Sequence, residues 1–414
     1  MSTQSSALRD RNFALYFFGA GCSLHGTWIQ RIAQGWMAWE LTESETWVGL
    51  VAFFDFFPVA ILAPVFGVVA DRVNRKNMMA LANGLMMLNV ACLTVVTLLG
   101  LVDIALLLVF VFIQGVLNAL NTPARLTLVP NLVDKSKLSN ALALMSLMFN
   151  VSRFIGPAIA GVIIATLGVA GAFAINTLSF VIFALALWRI KVGDKRARKT
   201  QAKRPLRDFA DGFSYATGRP SILWSYFIII IVGFFGRGAM ELMPAFADVF
   251  YARGSGGLAA LTSAAGAGAI VGALILARGK PPAELFGWVV GGGITVGISL
   301  LVFASNNNFY AGLGLMSVMG LSATIVGVGA QIIIQARVDD DYRGRVMSLW
   351  ASLAFGAVAV GGLGLGLLSE SLSLKYATLL AGGACAVGAI LIARPFLNRA
   401  RVIDEESEAN QPLP

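Results

Sequence analysis

Twelve predominantly apolar stretches recur along the chain, separated by short breaks rich in charge, glycine or proline. They span about 13–39, 46–70, 77–101, 104–123, 139–166, 170–189, 221–249, 257–278, 284–304, 309–335, 343–368 and 373–397. A helix needs about 20 mostly apolar residues to cross the hydrocarbon core of a bilayer, so each run predicts one crossing. Polar residues interrupt the fourth and fifth runs most heavily. The first run is too long, and followed by too many others, to read as a cleavable signal. The pattern predicts an all-α membrane protein of twelve transmembrane helices.

Basic residues give this pattern a direction. Of the 31 Lys and Arg, only Arg253 and Lys375 fall in the loops that lie outside if the N-terminus is cytoplasmic. Arg31, Arg153 and Arg237 fall within spans, and the others lie in inside segments or at their edges. This positive-inside bias predicts that both termini face the cytoplasm. The longest inside loop, about Ile190 to Pro220, carries Lys195-Arg196-Ala197-Arg198-Lys199 and divides the spans into two sets of six. The expected organisation is a six-helix bundle over 1–190, a basic linker over 191–219, a second bundle over 220–400 and a tail over 401–414. The tail turns acidic (Asp404, Glu405, Glu406, Glu408) and is expected to be disordered.

The halves repeat. A shift of 206 residues places Arg31 on Arg237, Arg72 on Arg278, the Asp134–Leu138 loop on Asp340–Gly344, and Gly156 on Gly362. Coincidences at one offset, in matching loops, predict a duplicated six-helix unit.

Composition removes the soluble alternatives. Hydrophobic residues make up 57% and charged residues 13%, against about 25% charged in soluble domains, and the mean hydropathy is +0.77. A soluble enzyme is excluded. The net charge of +9 is spread between apolar runs rather than over one soluble face, so no nucleic-acid partner is expected. One histidine (His25) and three scattered cysteines (Cys22, Cys92, Cys385) give neither metal-ligand spacing nor a disulfide framework. No phosphate loop or nucleophile elbow is visible. No enzymatic activity, metal or cofactor is expected, and energy would come from an ion or substrate gradient.

The connection between the second and third spans reads Gly67-Val68-Val69-Ala70-Asp71-Arg72-Val73-Asn74-Arg75-Lys76. It resembles motif A of the major facilitator superfamily, Gly-x-x-x-Asp-Arg-x-Gly-Arg-Lys/Arg, with Asn74 as the one departure. Gly26-Thr27-Trp28-Ile29-Gln30-Arg31, Asn121-Thr122-Pro123-Ala124-Arg125, Asn150-Val151-Ser152-Arg153-Phe154-Ile155-Gly156-Pro157 and Arg343-Gly344-Arg345-Val346-Met347-Ser348 are similar to the branch that contains the enterobactin exporters. The resemblance implies a monomer in a bacterial inner membrane, with two pseudo-symmetric six-helix bundles rocking about a central cavity. It also implies that Gly67, Asp71, Arg72, Arg75 and Lys76 latch the cytoplasmic gate. Asp71 suits this, because its charge can meet the positive N-terminus of another helix.

Charged residues within spans are costly in contact with lipid, about 2.5–3.5 kcal/mol each at mid-membrane on insertion scales, so they point inward. Ser23, Thr27, Gln30 and Gln34, with Arg31 beside them, draw one stripe along the first span. Gln114, Asn118, Asn121 and Arg125 do so on the fourth, and Ser146, Asn150 and Arg153 on the fifth. In the second half, Arg237 and Glu241 lie one turn apart, as do Gln331 and Gln335. The cavity candidates are Thr27, Gln30, Arg31, Gln34, Gln114, Asn118, Asn121, Asn150, Arg153, Arg237 and Gln331. For the amides and hydroxyls, hydrogen-bonding between helices is an equal alternative. His25 reads as structural, while Gly156-Pro157-x-x-x-Gly161 partly resembles the antiporter motif of the fifth span and reads equally as a packing kink.

Two carboxylates can carry a coupling proton. Asp55 sits among aromatics in Phe53-Phe54-Asp55-Phe56-Phe57-Pro58, and Glu241 lies one turn from Arg237, which could hold it as a structural pair. Many proton-coupled drug antiporters carry Arg-x-x-Gln-Gly on the fourth span. Here Gln114-Gly115 is present but Val111 stands in the arginine position, so coupling through that arginine is excluded. Three span arginines against two carboxylates predict a proton-driven exporter of a small anionic or polar aromatic molecule, such as a siderophore. A multidrug exporter and a proton-coupled nutrient permease are the alternatives; a sensor or scaffold lacks a soluble segment large enough to act.

Overall fold

The structure is a computed structural model that describes residues 6–70, 73–191, 205–279, 281–339 and 342–409. Asp71, Arg72 and the Lys195–Lys199 run lie outside the described residues. The first six helices are α1 (Arg11–Thr42), α2 (Glu45–Ala70), α3 (Arg75–Leu98), α4 (Ile104–Leu128), α5 (138–167) and α6 (169–189). The second six are α7 (Pro220–Phe250), α8 (Gly254–Ala277), α9 (Pro282–Ser305), α10 (Phe309–Arg337), α11 (Arg343–Leu372) and α12 (Leu374–Ala409). A short helix, Pro205–Thr217, precedes α7.

Ten helices among the described residues are long and apolar enough to cross a membrane. One of them, Leu138–Arg189, is 52 residues long and breaks at Gly168 into α5 and α6. With α1, 32 residues long but striped with polar side chains, the crossings number twelve. The outer faces carry large apolar residues in the open, Trp188, Leu98 and Leu391 among them. Contiguous exposure of this kind marks a surface facing lipid.

Local chemistry sets the helix boundaries. Asn74 opens α3 by accepting from the backbone N–H groups of Lys76 and Asn77, and Asn308 opens α10 by accepting from those of Tyr310 and Ala311. The Asp103 carboxylate caps α4 through Leu106 N at 2.7 Å. Each side-chain oxygen satisfies an orphan donor of the first turn. Gly168 has φ 68° and ψ −179°, a conformation essentially reserved for glycine, and it reverses the chain without a loop. The acidic tail departs from expectation, because α12 runs as helix through Ala409. Glu and Ala are strong helix formers, and no breaker occurs between Arg399 and Pro412.

The bundles meet along two seams, α2 with α11 and α5 with α8. Glycines make these seams close. A Cβ on Gly49 would come within 2.5 Å of the Gly362 carbonyl oxygen, and one on Gly266 within 2.7 Å of the Phe154 Cα. Near the α1–α2 turn, Trp39 Nε1 donates to Asp248 at 2.9 Å, and Ser44 Oγ donates to Glu370 at 2.6 Å. At the opposite end, Gly67 and Gly344 have open space beside them. The Trp39 and Ser44 hydrogen bonds therefore join the bundles at the α1–α2 turn.

Candidate substrate cavity

A cavity lies between the bundles, lined from α1, α2 and α5 on one side and α7, α8 and α10 on the other. It encloses about 110 Å³, well above the roughly 10–15 Å³ that one water requires, so charged side chains facing it can be hydrated.

Arg31 stands at its centre. Its Nη2 donates to Glu241 Oε2 at 2.8 Å, and its Nε lies 3.9 Å from Asp55 Oδ2. The guanidinium also lies over the Phe56 ring at 4.0 Å and near the Trp28 ring at 5.5 Å. Helix α1 thus brings a cation to carboxylates from α2 and from the opposite bundle. Because Arg31 has a carboxylate on either side, each carboxylate keeps a counter-charge away from bulk water.

Glu241 pairs with Arg31 rather than with its helical neighbour Arg237, and the shape of α7 explains this. Val232–Arg237 form a π-turn, and the Glu241 and Leu242 N–H groups then close tight i−3 bonds to Gly238 and Ala239. Residues four apart face each other only while a helix keeps its 3.6-residue period. The break removes that phase. It was written in Gly233, Gly236, Gly238 and Pro244, which the charge pattern alone did not weigh.

Arg153 and Arg237 also line the cavity, and among the described residues neither makes an ion pair. Arg153 lies 5.8 Å from the Trp28 ring, so the same indole serves Arg31 and Arg153. Gln34 lines the cavity too; it is buried, and among the described residues its Nε2 has no hydrogen-bond partner.

The remaining candidates lie elsewhere. Gln30 accepts a hydrogen bond from Asn176 on α6, and Gln114 accepts one from Asn89 on α3 at 3.1 Å. Both tie helices within the first bundle. Thr27 Oγ1 donates to the Ser23 carbonyl at 2.8 Å. Asn118, Asn121 and Gln331 are outside the cavity lining, and the Asn150 side chain is outside the described residues. His25 Nδ1 lies 2.8 Å from the Gly21 carbonyl and 3.0 Å from Ser152 Oγ, joining α1 to α5. Of the gate residues, Lys76 donates to the Ile190 carbonyl at 2.6 Å. The sequence reading did not single out the aromatic brackets Trp28 and Phe56, nor Ser44, Asp248 and Glu370. Trp28, one turn before Arg31, and Phe56, next to Asp55, carried the available signal.

The family described as transmembrane secretion effector matches residues 2–414. The chain belongs to this family of the major facilitator superfamily. Its members are transporters rather than enzymes, and the chain is a multi-pass membrane protein. Two relatives resemble this member over most of its length. The staphyloferrin A transporter of Staphylococcus aureus is 24% identical, covering 81% of this chain and 84% of that one. Macrolide efflux protein A of Streptococcus pyogenes is 23% identical, covering 95% and 98%. A crystal structure of a bacterial homologue of the human lysosomal transporter Spinster, inward-facing and unoccupied, superposes with a TM-score of 0.71 at 16% identity over 94% of this chain and 97% of that one. It shares the fold.

Proposed function

We propose that this secondary transporter exports a small anionic or polar aromatic molecule, such as a siderophore, by alternating access driven by inward proton flow. It would act as a monomer in a bacterial inner membrane, with both termini cytoplasmic. The observation that carries this reading is the charge inventory of the cavity: three guanidiniums face two carboxylates, and both carboxylates are held by Arg31. Such a site favours carboxylates and catechols, through bidentate hydrogen bonds and contacts over aromatic rings. The staphyloferrin A transporter among the relatives supports it.

Proton coupling runs through Asp55 and Glu241. Protonation of either removes one counter-charge from Arg31, and protonation of Glu241 loosens the Arg31–Glu241 link between the bundles. On the cytoplasmic side, Gly67, Asp71, Arg72, Arg75 and Lys76 act as the latch. A second reading, export of bulky apolar drugs, draws on Met240, Met243 and Met316 in the lining, because thioethers adapt to varied shapes, and on the macrolide efflux relative.

Proteoliposomes with a trapped pH dye test the choice. Siderophores, carboxylates and lipophilic cations are added in turn to wild type, Asp55→Asn and Glu241→Gln. A proton signal from anionic substrates, abolished by one substitution, is expected. A signal from lipophilic cations alone would favour the drug reading, and accumulation with proton entry would favour nutrient uptake.

A further inference from the structure

Resting on the anionic-substrate reading, we propose that the substrate carries at least two separated anionic groups and bridges Arg153 of the first bundle to Arg237 of the second, with Gln34 donating to a further oxygen. The three arginines of the cavity are not equivalent. Arg31 is answered by Glu241 at 2.8 Å and by Asp55 at 3.9 Å, so an incoming anion would have to compete with two resident carboxylates for it. Arg153 and Arg237 have no carboxylate within ion-pair distance among the described residues.

The charges that act on Arg153 are the like charges of Arg237 and Arg31 and the single opposite charge of Glu241. Glu241 is already engaged by Arg31. Arg153 stands on α5 and Arg237 closes the π-turn of α7, so these two cations, neither within ion-pair distance of a carboxylate among the described residues, belong to opposite sides of the interface that must move. A single monoanion would answer one and leave the other. A ligand with two anionic groups answers both, and in doing so ties the bundles together.

A second observation points the same way. Gln34 lines this cavity, is only 4% exposed, and its Nε2 is buried with no partner among the described residues. A buried amide N–H without an acceptor is costly, and a ligand oxygen would satisfy it. The groups left open in the cavity are thus two guanidiniums and an amide N–H, all donors. The complementary ligand is rich in acceptors and charged at more than one place. A π-turn at Arg237 fits a ligand contact, since such turns recur at functional sites.

The test compares three small acids of similar length at neutral pH: butyrate, succinate and tricarballylate, with one, two and three carboxylates. Tetraphenylphosphonium is the cationic control. Binding to the full chain in nanodiscs is read from the fluorescence of Trp28, identified by its loss in Trp28→Phe, and from the unfolding midpoint. Succinate and tricarballylate are expected to bind at least tenfold more tightly than butyrate and to raise the midpoint. Arg153→Gln and Arg237→Gln should each erase that preference, and the double variant should lose no more than either single one, because a bridge needs both ends. Gln34→Leu should weaken tricarballylate more than butyrate.

Equal binding of the three acids, or losses that add independently in the double variant, would overturn the bridge while leaving an anion site intact. Binding of tetraphenylphosphonium with indifference to all three acids would overturn the anionic reading and the bridge with it. The wild-type ratio needs no substitution, so a variant that fails to fold does not remove the test.

Discussion

Arg31 answers a carboxylate from its own bundle and one from the other, and stacks on two aromatic rings besides. Removing it leaves two carboxylates facing each other across a partly shielded cavity. Arg31→Ala is expected to cost on the order of 3 kcal/mol, read as a lowered unfolding midpoint in detergent. Arg31→Gln combined with Glu241→Gln should recover a large part of that loss, because the strain comes from an unanswered charge rather than from a missing contact. Full additivity of the two single effects would show that the pair is not coupled. The positions of Arg31 and Arg237 were legible in the sequence, since a charge inside an apolar run has few places to go and the 206-residue offset doubles the signal. The pairing of Glu241 was not. It depends on the phase of α7 after a π-turn, and charge spacing assumes a regular helix.

The helices themselves were legible because burial in lipid demands long apolar runs, and their boundaries moved by only a few residues except at the end of α12, which runs through Ala409 rather than ending near 397. The amides were harder. Gln30 and Gln114 lie on the stripes that spacing predicts, yet each faces a neighbouring helix of its own bundle, because a stripe records which side is polar and not what stands opposite. Gly168 gives one prediction at this scale. Alanine there must hold φ 68° with an extended ψ, so Gly168→Ala should destabilise the α5–α6 hairpin by about 1–3 kcal/mol, measured as a lower unfolding midpoint with cavity binding retained. Gly49 gives another. A side chain at that position must push against the Gly362 carbonyl, so Gly49→Val should part α2 from α11. Cysteines placed near the α1–α2 turn should then label faster with a membrane-impermeant maleimide; unchanged labelling would mean that the seam can yield without opening.

At the scale of the molecule, the bundles are joined by hydrogen bonds at the cavity, through Arg31 and Glu241, and at the α1–α2 turn. Ser44 and Glu370 touch there across the interface at 2.6 Å. In a background without Cys22, Cys92 and Cys385, the pair Ser44→Cys and Glu370→Cys should cross-link on mild oxidation. Transport should stop and should return on reduction. Transport that continues through the cross-link would mean that this end need not separate.

The glycine seams have one more consequence, for anyone who reads this protein through a saturation mutagenesis scan. Gly49 and Gly266 carry no chemistry, yet each sits where another helix occupies the space a side chain would take. Their columns in such a scan should be as dark as those of Arg31 and Glu241. Ranking positions by intolerance would merge the bearing surfaces with the binding site. Only a readout that separates the amount of folded protein at the membrane from the flux through each molecule would pull the two classes apart.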